Sequence, residues 1–176
     1  MTDARTAPEQ NRLITGDELA CMPDRGPCEL VDGRIVPMSP TSPQHGRIEL
    51  NIAFALREFV RSQNLGTVMT GEVGIFTKHN PDRVRGADVL FMSHGQYARR
   101  TAGRAFLDIA PELVVEILSA ENAHVDMGQK VREYLSIGVR LVLIVDPDTR
   151  TITAHHPSGP VQRFREPELV PCDEAL

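Results

Sequence analysis

The chain has 176 residues, of which 41% are hydrophobic and 24% are charged, and its formal net charge is −5. That length and composition are typical of one globular domain with its own core, and no apolar run approaches the length of a membrane span. The polar first residues and three scattered cysteines favour a cytoplasmic protein without a signal peptide, disulfide framework or zinc site. The acidic charge indicates no overall attraction to nucleic acid, although a local basic patch would still permit one.

The first third of the chain predicts two helices separated by a hairpin. Residues 1–12 are polar and contain proline, so we expect a disordered tail. Residues 15–22 begin with a threonine that has a glutamate three residues later, which is the capping box of a short helix. Residues 28–37 hold an Asp-Gly pair between two short apolar runs, a pattern that favours a type I′ hairpin. Residues 42–63 open with Ser-Pro and repeat apolar residues at helical spacing, which predicts a long amphipathic helix.

The middle of the chain predicts β structure. Residues 67–77 form a long β pattern interrupted by two glycines, and residues 79–86 have the composition of a turn. Residues 88–92 then predict a short apolar strand. Residues 93–110 are polar and rich in arginine, which indicates a loop with about one helical turn.

The last third alternates apolar strands with a helix. Residues 113–119 form a nearly continuous apolar run in which Glu116 is the only charge, and residues 121–137 have helical periodicity. Residues 139–146 predict a buried strand and residues 151–156 an exposed one.

The order of these elements predicts an α/β fold, in which helices flank a mixed β-sheet preceded by an N-terminal β-hairpin. We assign residues 13–165 to a single domain and residues 166–176 to a C-terminal tail.

Two carboxylates suggest a metal site. Asp88 is predicted to begin one strand and Glu116 lies inside the next, where an ionised carboxylate is costly unless it is paired or bound to a metal. If these strands are neighbours, both side chains can reach one cleft and offer the hard oxygen ligands that Mg²⁺ prefers. Lys130, on the following helix, could assist an attacking water or stabilise the transition state. The plain alternatives are a salt bridge from Glu116 to a buried arginine and a solvated Lys130 paired with Asp126.

Three segments of the chain together resemble a known family. The segments CELVDGRIVPMSPTSPQHG, GADVLF and APELVVEILSAENAHVDMGQKVREYLSIGV, followed by LIVDP, are similar to the Uma-two family of putative restriction endonucleases. That family is a branch of the PD-(D/E)XK nuclease superfamily, and the resemblance covers residues 25–160. It implies a restriction-endonuclease-like sheet and an endonuclease that uses Mg²⁺ or Mn²⁺ to hydrolyse phosphodiester bonds in DNA.

The resemblance also implies roles for individual residues. Asp88 matches the motif aspartate and Glu116 the motif glutamate, so both would bind the metal. The superfamily pattern places a lysine two residues after the glutamate, where this chain has Leu118, and in the similar family the lysine lies on the next helix, as Lys130 does. Ala87 stands where the family has proline, and this substitution leaves the carboxylate of Asp88 in place.

Further candidates lie around this set. Glu29 matches an acidic hairpin position of the family that could share the cleft, and His45 matches a histidine that opens the first long helix. Glu72 is another acidic candidate, although a strand position beside glycine also fits a β-bulge. Five arginines near the Asp88 strand are candidates for phosphate contact, or else for a solvated loop: Arg83, Arg85, Arg99, Arg100 and Arg104.

The sequence leaves three kinds of function open. The first is the metal-dependent endonuclease, with DNA and a second copy of the chain as expected partners and no membrane association. The second is a catalytically inactive nuclease-fold domain that binds nucleic acid or a protein, which the acidic net charge and Leu118 permit. The third is a structural oligomerisation domain, in which side chains would fill the cleft.

The chain beyond Val161 lacks the closing apolar segment of the family, which leaves the edge of the sheet unassigned.

Overall fold

The computed structural model describes residues 12–119 and 124–176, and in the second range it describes side chains from residue 127 onward. The predicted disorder of residues 1–12 therefore falls almost wholly outside the described residues. The side chain of Asp126 lies outside them as well.

The N-terminal elements follow the predicted local signals. Helix α1 (Gly16–Cys21) is capped by Thr15, whose side chain accepts a hydrogen bond from the backbone of Glu18 while the Glu18 side chain bonds back to Thr15. Strands β1 (Cys28–Val31) and β2 (Arg34–Pro37) form the predicted hairpin.

Both residues of the hairpin turn adopt the left-handed conformation of a type I′ turn, with φ of 49° at Asp32 and 74° at Gly33. Helix α2 (Pro43–Ser62) begins after Ser42, whose hydroxyl accepts from the backbone N–H of His45. The capping box, the hairpin and the Ser-Pro helix start are thus all confirmed.

The other elements follow in chain order as β3 (Gly66–Lys78), β4 (Arg83–Ser93), α3 (His94–Ala98), β5 (Leu113–Ile117), α4 (His124–Ser136), β6 (Leu141–Asp146), β7 (Thr151–His155) and β8 (Gln162–Arg165). The predicted start of β4 at Asp88 is wrong by five residues. Arg83 to Ala87 extend the strand because they pair with β3 from Lys78 back to Val73, which leaves only residues 79–82 for the turn. Asp88 therefore lies in the middle of a strand.

The strands form one open, mixed sheet in the order β2-β1-β4-β5-β6-β7-β8, with β3 paired to β4. Strands β5 and β6 are parallel and are joined through α4, while the other neighbouring strands of this sheet are antiparallel. The predicted α/β architecture with a mixed sheet and an N-terminal hairpin is confirmed.

The sheet is covered on both faces. The cluster on the α4 side includes Leu90, Val114, Val131, Tyr134 and Val142, and the cluster on the α2 side includes Val60, Phe91, Val115, Leu141 and Leu143. Side chains alternate between the two faces along a strand, so Glu116 points to the same face as Val114. The carboxylate of Glu116 therefore points toward α4.

The C-terminal residues complete the α2 side. Strand β8 pairs with β7 and forms the edge that the sequence left unassigned, and Ala175 and Cys172 pack against the cluster beneath it. Among residues 12–119 and 124–176, no helix is long and apolar enough to cross a membrane.

A fork in the sheet creates the position of the candidate site. Strand β3 occupies one edge of β4 along most of its length. The other edge is shared, because β1 pairs with β4 at Val84 whereas β5 pairs with it from Val89 onward. Residues 85–88 lie between these two pairings, so side chains and backbone groups of β1, β4 and β5 face one another there.

Candidate active site

Four acidic side chains converge at the fork, each from a different strand. They are Glu29 of β1, Glu72 of β3, Asp88 of β4 and Glu116 of β5, and all four line one cleft of about 690 Å³. Three of them are almost completely buried, with exposed fractions of 5% for Glu29, 4% for Asp88 and 3% for Glu116. The structure therefore brings together the two predicted metal ligands and both additional acidic candidates. The open cleft does not fit a purely structural domain whose cleft is filled.

Glu116 is held by two residues of α4. One carboxylate oxygen lies 2.9 Å from the Nζ of Lys130, and the other accepts a hydrogen bond of 2.7 Å from the hydroxyl of Tyr134. Burial raises the pKa of Glu116 to about 7, and the charge of Asp88 adds to this effect while Lys130 opposes it. The carboxylate consequently changes charge near neutral pH.

Lys130 is an internal cation. Its Nζ contacts the carboxylates of Glu116 at 2.9 Å and Glu29 at 3.1 Å, and it donates to the backbone oxygen of Gly86 at 2.9 Å. Burial alone would lower the pKa of Lys130, but the two carboxylates outweigh it and the pKa is raised. Because only 8% of Lys130 is exposed, the alternative of a solvated helix residue does not hold.

Asp88 is anchored between the sheet and α2. Its Oδ2 accepts a 2.6 Å hydrogen bond from the backbone N–H of Ile117 and lies 3.3 Å from the Nε2 of His45. The hydrogen bond to Asp88 raises the pKa of His45, although burial opposes the shift. The Nδ1 of His45 is buried without a hydrogen-bond partner among the described residues, and it lies 3.9 Å from Glu49. The predicted histidine is therefore in direct contact with the motif aspartate.

Glu72 reaches the cleft through a β-bulge. The pairing of β3 with β4 shifts between Thr70 and Val73, and both bulge residues have left-handed backbones, with φ of 94° at Gly71 and 58° at Glu72. Burial and the charge of Asp88 raise the pKa of Glu72 to about 7. A Cβ at Gly86 would lie 2.8 Å from Oε2 of Glu72, so a larger residue there would displace this carboxylate. The β-bulge is therefore the feature that places Glu72 in the cleft.

A buried arginine fixes Glu29, the acid of the hairpin. Arg85 has an exposed fraction of 1% and lies 2.7 Å from Glu29 Oε2 and 2.8 Å from Glu133 Oε2. The backbone N–H of Gly86 donates to the other oxygen of Glu29 at 3.0 Å. The prediction that Arg85 contacts phosphate does not hold, because its guanidinium faces the interior and two carboxylates.

The remaining arginine candidates lie toward the surface with partners of their own. Arg83 lies 2.6 Å from both Asp32 and Glu133, and Arg104 lies 2.9 Å from Asp17. The other two belong to the end of α3, where Arg100 stacks 3.7 Å above the ring of Tyr97 and Arg99 donates to Gln96. Phosphate contact by these four residues stays a prediction.

Sequence reasoning missed Glu133 as a residue of this network and gave Tyr134 no role. Both lie on α4 within one turn of Lys130, at spacings of three and four residues, so they share its face. That spacing was the available signal. What it could not show is that Arg85 and Glu116 lie opposite this face.

The fold is shared with a solved structure. The structure is similar to that of a putative nuclease belonging to DUF820 from Anabaena variabilis, with a TM-score of 0.78 and 22% sequence identity over 92% of this chain and 91% of that one. At this level of identity the likeness establishes the fold, which is consistent with the restriction-endonuclease-like fold. A comparison with curated proteins gives no match.

The family follows from the sequence match. Residues 17–176 match the model of the Uma2 (Uma-two) family, described as putative restriction endonucleases, and the chain belongs to that family. The match includes the strands and helices that supply Glu29, Glu72, Asp88, Glu116 and Lys130.

Proposed function

We propose that this protein is a metal-dependent endonuclease that uses Mg²⁺ or Mn²⁺ to hydrolyse phosphodiester bonds in DNA. The observation that carries the proposal is the convergence of Asp88 and Glu116 from neighbouring strands on one cleft. Family membership supports the same class of reaction. A cytoplasmic location and a homodimer remain expectations from the sequence.

The charges of the cleft fit a divalent cation. Four carboxylates meet there beside one lysine, and the pKa values of Glu72 and Glu116 are raised to about 7 by burial and by the charge of Asp88. A bound cation would relieve this repulsion. Among the described residues no three His, Cys, Asp or Glu side chains form a ready metal cage. Mg²⁺ does not need one, because it usually takes one or two carboxylates and completes its shell with water and substrate phosphate.

In this proposal Asp88 and Glu116 would hold the metal, with Glu72 beside them. A bound divalent ion would lower the pKa of a coordinated water and offset the negative charge that develops on the phosphate. The chain itself provides the orientation. Lys130 and Tyr134 fix the Glu116 carboxylate, and the contact with Ile117 fixes Asp88.

Plasmid nicking in the presence of Mg²⁺ or Mn²⁺ tests the reaction. We expect Glu116→Gln to lower the nicking rate by about 100-fold or more, because it removes a metal ligand and its charge. Glu174→Gln, at an exposed residue near the C-terminus, makes the same chemical change outside the cleft and outside α2 and should leave the rate unaltered. Equal rates for the wild type and Glu116→Gln after stringent purification would defeat the catalytic proposal.

One observation favours a second candidate, a nuclease-fold domain that binds nucleic acid or protein without cutting. The Nζ of Lys130 has three internal acceptors, and both oxygens of Glu116 are bonded within the protein. When the polar groups of a site already bond to one another, fewer of them remain to bind a substrate. The two candidates differ in whether they require metal.

Calorimetric titration with Mn²⁺ separates these candidates. The enzyme predicts measurable binding that is lost in Asp88→Ala, because a hard ligand has been removed. Asp148 is exposed and lines the same cleft, so Asp148→Ala is the matched control and should bind Mn²⁺ normally. Absence of Mn²⁺ binding to the wild-type protein would support the non-cutting domain.

A further inference from the structure

Helix α2 carries a basic and aromatic stripe on its outer face. Arg47, Leu50, Phe54, Arg57 and Arg61 follow one another at intervals of three and four residues, so they lie on one side of the helix. All five are exposed, including 67% of Leu50 and 64% of Phe54. From end to end this α2 stripe is about 21 Å long at the usual helical rise.

The three arginines of the α2 stripe differ from those beside the fork. Arg83 and Arg85 are neutralised by Asp32, Glu29 and Glu133. Among the described residues, by contrast, no hydrogen bond or ion pair engages the guanidinium groups of the stripe. Glu58 is the one exposed acid of α2, since Glu49 turns inward to Thr70 and Gly71. The outer face is therefore net positive in a protein of net charge −5.

The α2 stripe is continuous with the candidate active site. Gln44 belongs to the first turn of α2 and lines the cleft, and Arg47 lies three residues later on the same side of the helix. At the other end of the helix, Arg57 and Arg61 border a recess of about 340 Å³ together with Asn64. An extended polymer could therefore lie along α2 and enter the cleft at the N-terminal end of this helix.

We propose that the α2 stripe binds single-stranded nucleic acid, with its arginines on the phosphates and Phe54 stacked on a base. Alternating cationic and aromatic side chains are the general means of holding a single strand without reading its sequence. The cleft is rich in carboxylates and repels phosphate, so a nuclease with this cleft needs a cationic surface nearby. This inference rests on the proposed function and identifies the surface that would deliver its substrate.

The charge pattern argues against a second copy of the chain on this face. A two-fold antiparallel pairing that sets Leu50 against Phe54 of the other copy also sets Arg47 against Arg57, which is repulsive. Residues 1–11 and 120–123 contain Met1 as their only large apolar side chain, so their composition offers little apolar surface to match Leu50 and Phe54.

Fluorescence anisotropy with a labelled single-stranded DNA of about 12 nucleotides tests the inference, with EDTA present to prevent cleavage. Replacing Arg47, Arg57 and Arg61 together with glutamine should weaken binding at least about 10-fold and reduce the salt-dependence slope by about 2, at roughly 0.7 per phosphate contact. The matched control replaces three exposed arginines elsewhere, Arg140, Arg163 and Arg165, and should change neither quantity. Equal losses in both triple variants would overturn the proposal.

Variants at Phe54 test the stacking. Phe54→Tyr keeps a π-face and should bind normally, whereas Phe54→Leu keeps an apolar side chain without one and should bind about 5-fold or more weakly. Normal binding by Phe54→Leu overturns the proposed stacking. The proposed ligand is wrong if the protein prefers duplex DNA to single-stranded DNA. It is also wrong if sedimentation velocity shows a dimer that Phe54→Asp dissociates while DNA binding is unchanged.

The results separate this inference from the proposed function. A protein that binds DNA through the α2 stripe but nicks no plasmid contradicts only the catalytic proposal. A protein that nicks plasmid through Glu116 while every stripe variant binds normally contradicts only the stripe.

Discussion

Lys130→Met is expected to destabilise the metal-free protein by about 3–5 kcal/mol near neutral pH or above, because it leaves buried carboxylates without their cation. Glu116 and Glu29 both contact the ammonium, and only 3% and 5% of these two residues are exposed to water. Urea unfolding followed by circular dichroism measures the loss. Since Glu116 can accept a proton, the loss should be smaller under mildly acidic conditions.

The chain contains a natural control for this experiment. Its second lysine, Lys78, lies 3.0 Å from Asp32 in an exposed ion pair, so Lys78→Met should cost less than about 1 kcal/mol. The double variant Lys130→Met with Glu116→Gln should recover part of the stability, because one uncompensated charge is removed. If the two lysine variants are equally stable, the internal cation of Lys130 contributes no more than an exposed ion pair, which contradicts this prediction.

The metal-free protein is also expected to lose stability as the pH rises from about 4.5 to above 7. The pKa values of Glu72 and Glu116 are raised from 4.5 to about 7, so in this interval the folded state holds protons that the unfolded chain has released. The free energy of unfolding therefore falls as the pH rises, by roughly 3 kcal/mol for a fully buried group with such a shift. His45 acts in the same direction, because its raised pKa stabilises the fold at acidic pH and this contribution disappears as the ring deprotonates.

Urea unfolding in EDTA at about pH 5 and about pH 8 tests this dependence. Glu72→Gln should flatten the pH profile and make the protein more stable than wild type at the higher pH. Saturating Mn²⁺ should remove most of the decline, because a cation stabilises the ionised carboxylates. A wild-type protein that becomes more stable across this interval without metal would contradict the raised pKa values. Below about pH 4 the trend should reverse, since the pKa of Asp32 is lowered to about 2 by Arg83 and Lys78.

The position of the lysine is a consequence of the topology. Leu118 occupies the place two residues after Glu116 and packs against the cluster on the α4 side. The crossover between β5 and β6 returns α4 over the fork, so Lys130 approaches the same carboxylate from the helix at 2.9 Å. Helix α4 thus supplies the cation that the strand does not.

Local features of this protein were predictable because their causes are local. The capping box at Thr15, the Asp-Gly turn and the Ser42-Pro43 helix start each depend on residues within a few positions of one another. The pairing of Asp88 with Glu116 was predicted for a related reason. A lone carboxylate in an apolar strand requires a cation near it, and the family motif indicated the second acid that would share this cation.

The interior charges could not be predicted in the same way. Residues 83–86 have the composition of a turn, yet β3 pairs with them and draws Arg85 into the core. The two acids that receive its guanidinium lie 56 residues earlier, at Glu29, and 48 residues later, at Glu133. No periodicity within the strand reports partners at such separations.

The sequence by itself determined the helices, the hairpin, the sheet class and the acidic pair, since each is specified by short-range patterns or by a motif. Only the tertiary structure decided which charges are internal. The fork between β1 and β5 on one edge of β4 brings Glu29, Asp88 and Glu116 together and sets Lys130 among them. A charged side chain is stable in a protein interior only when opposite charges or hydrogen bonds compensate it there. In this protein the assembled sheet brings those compensating groups together.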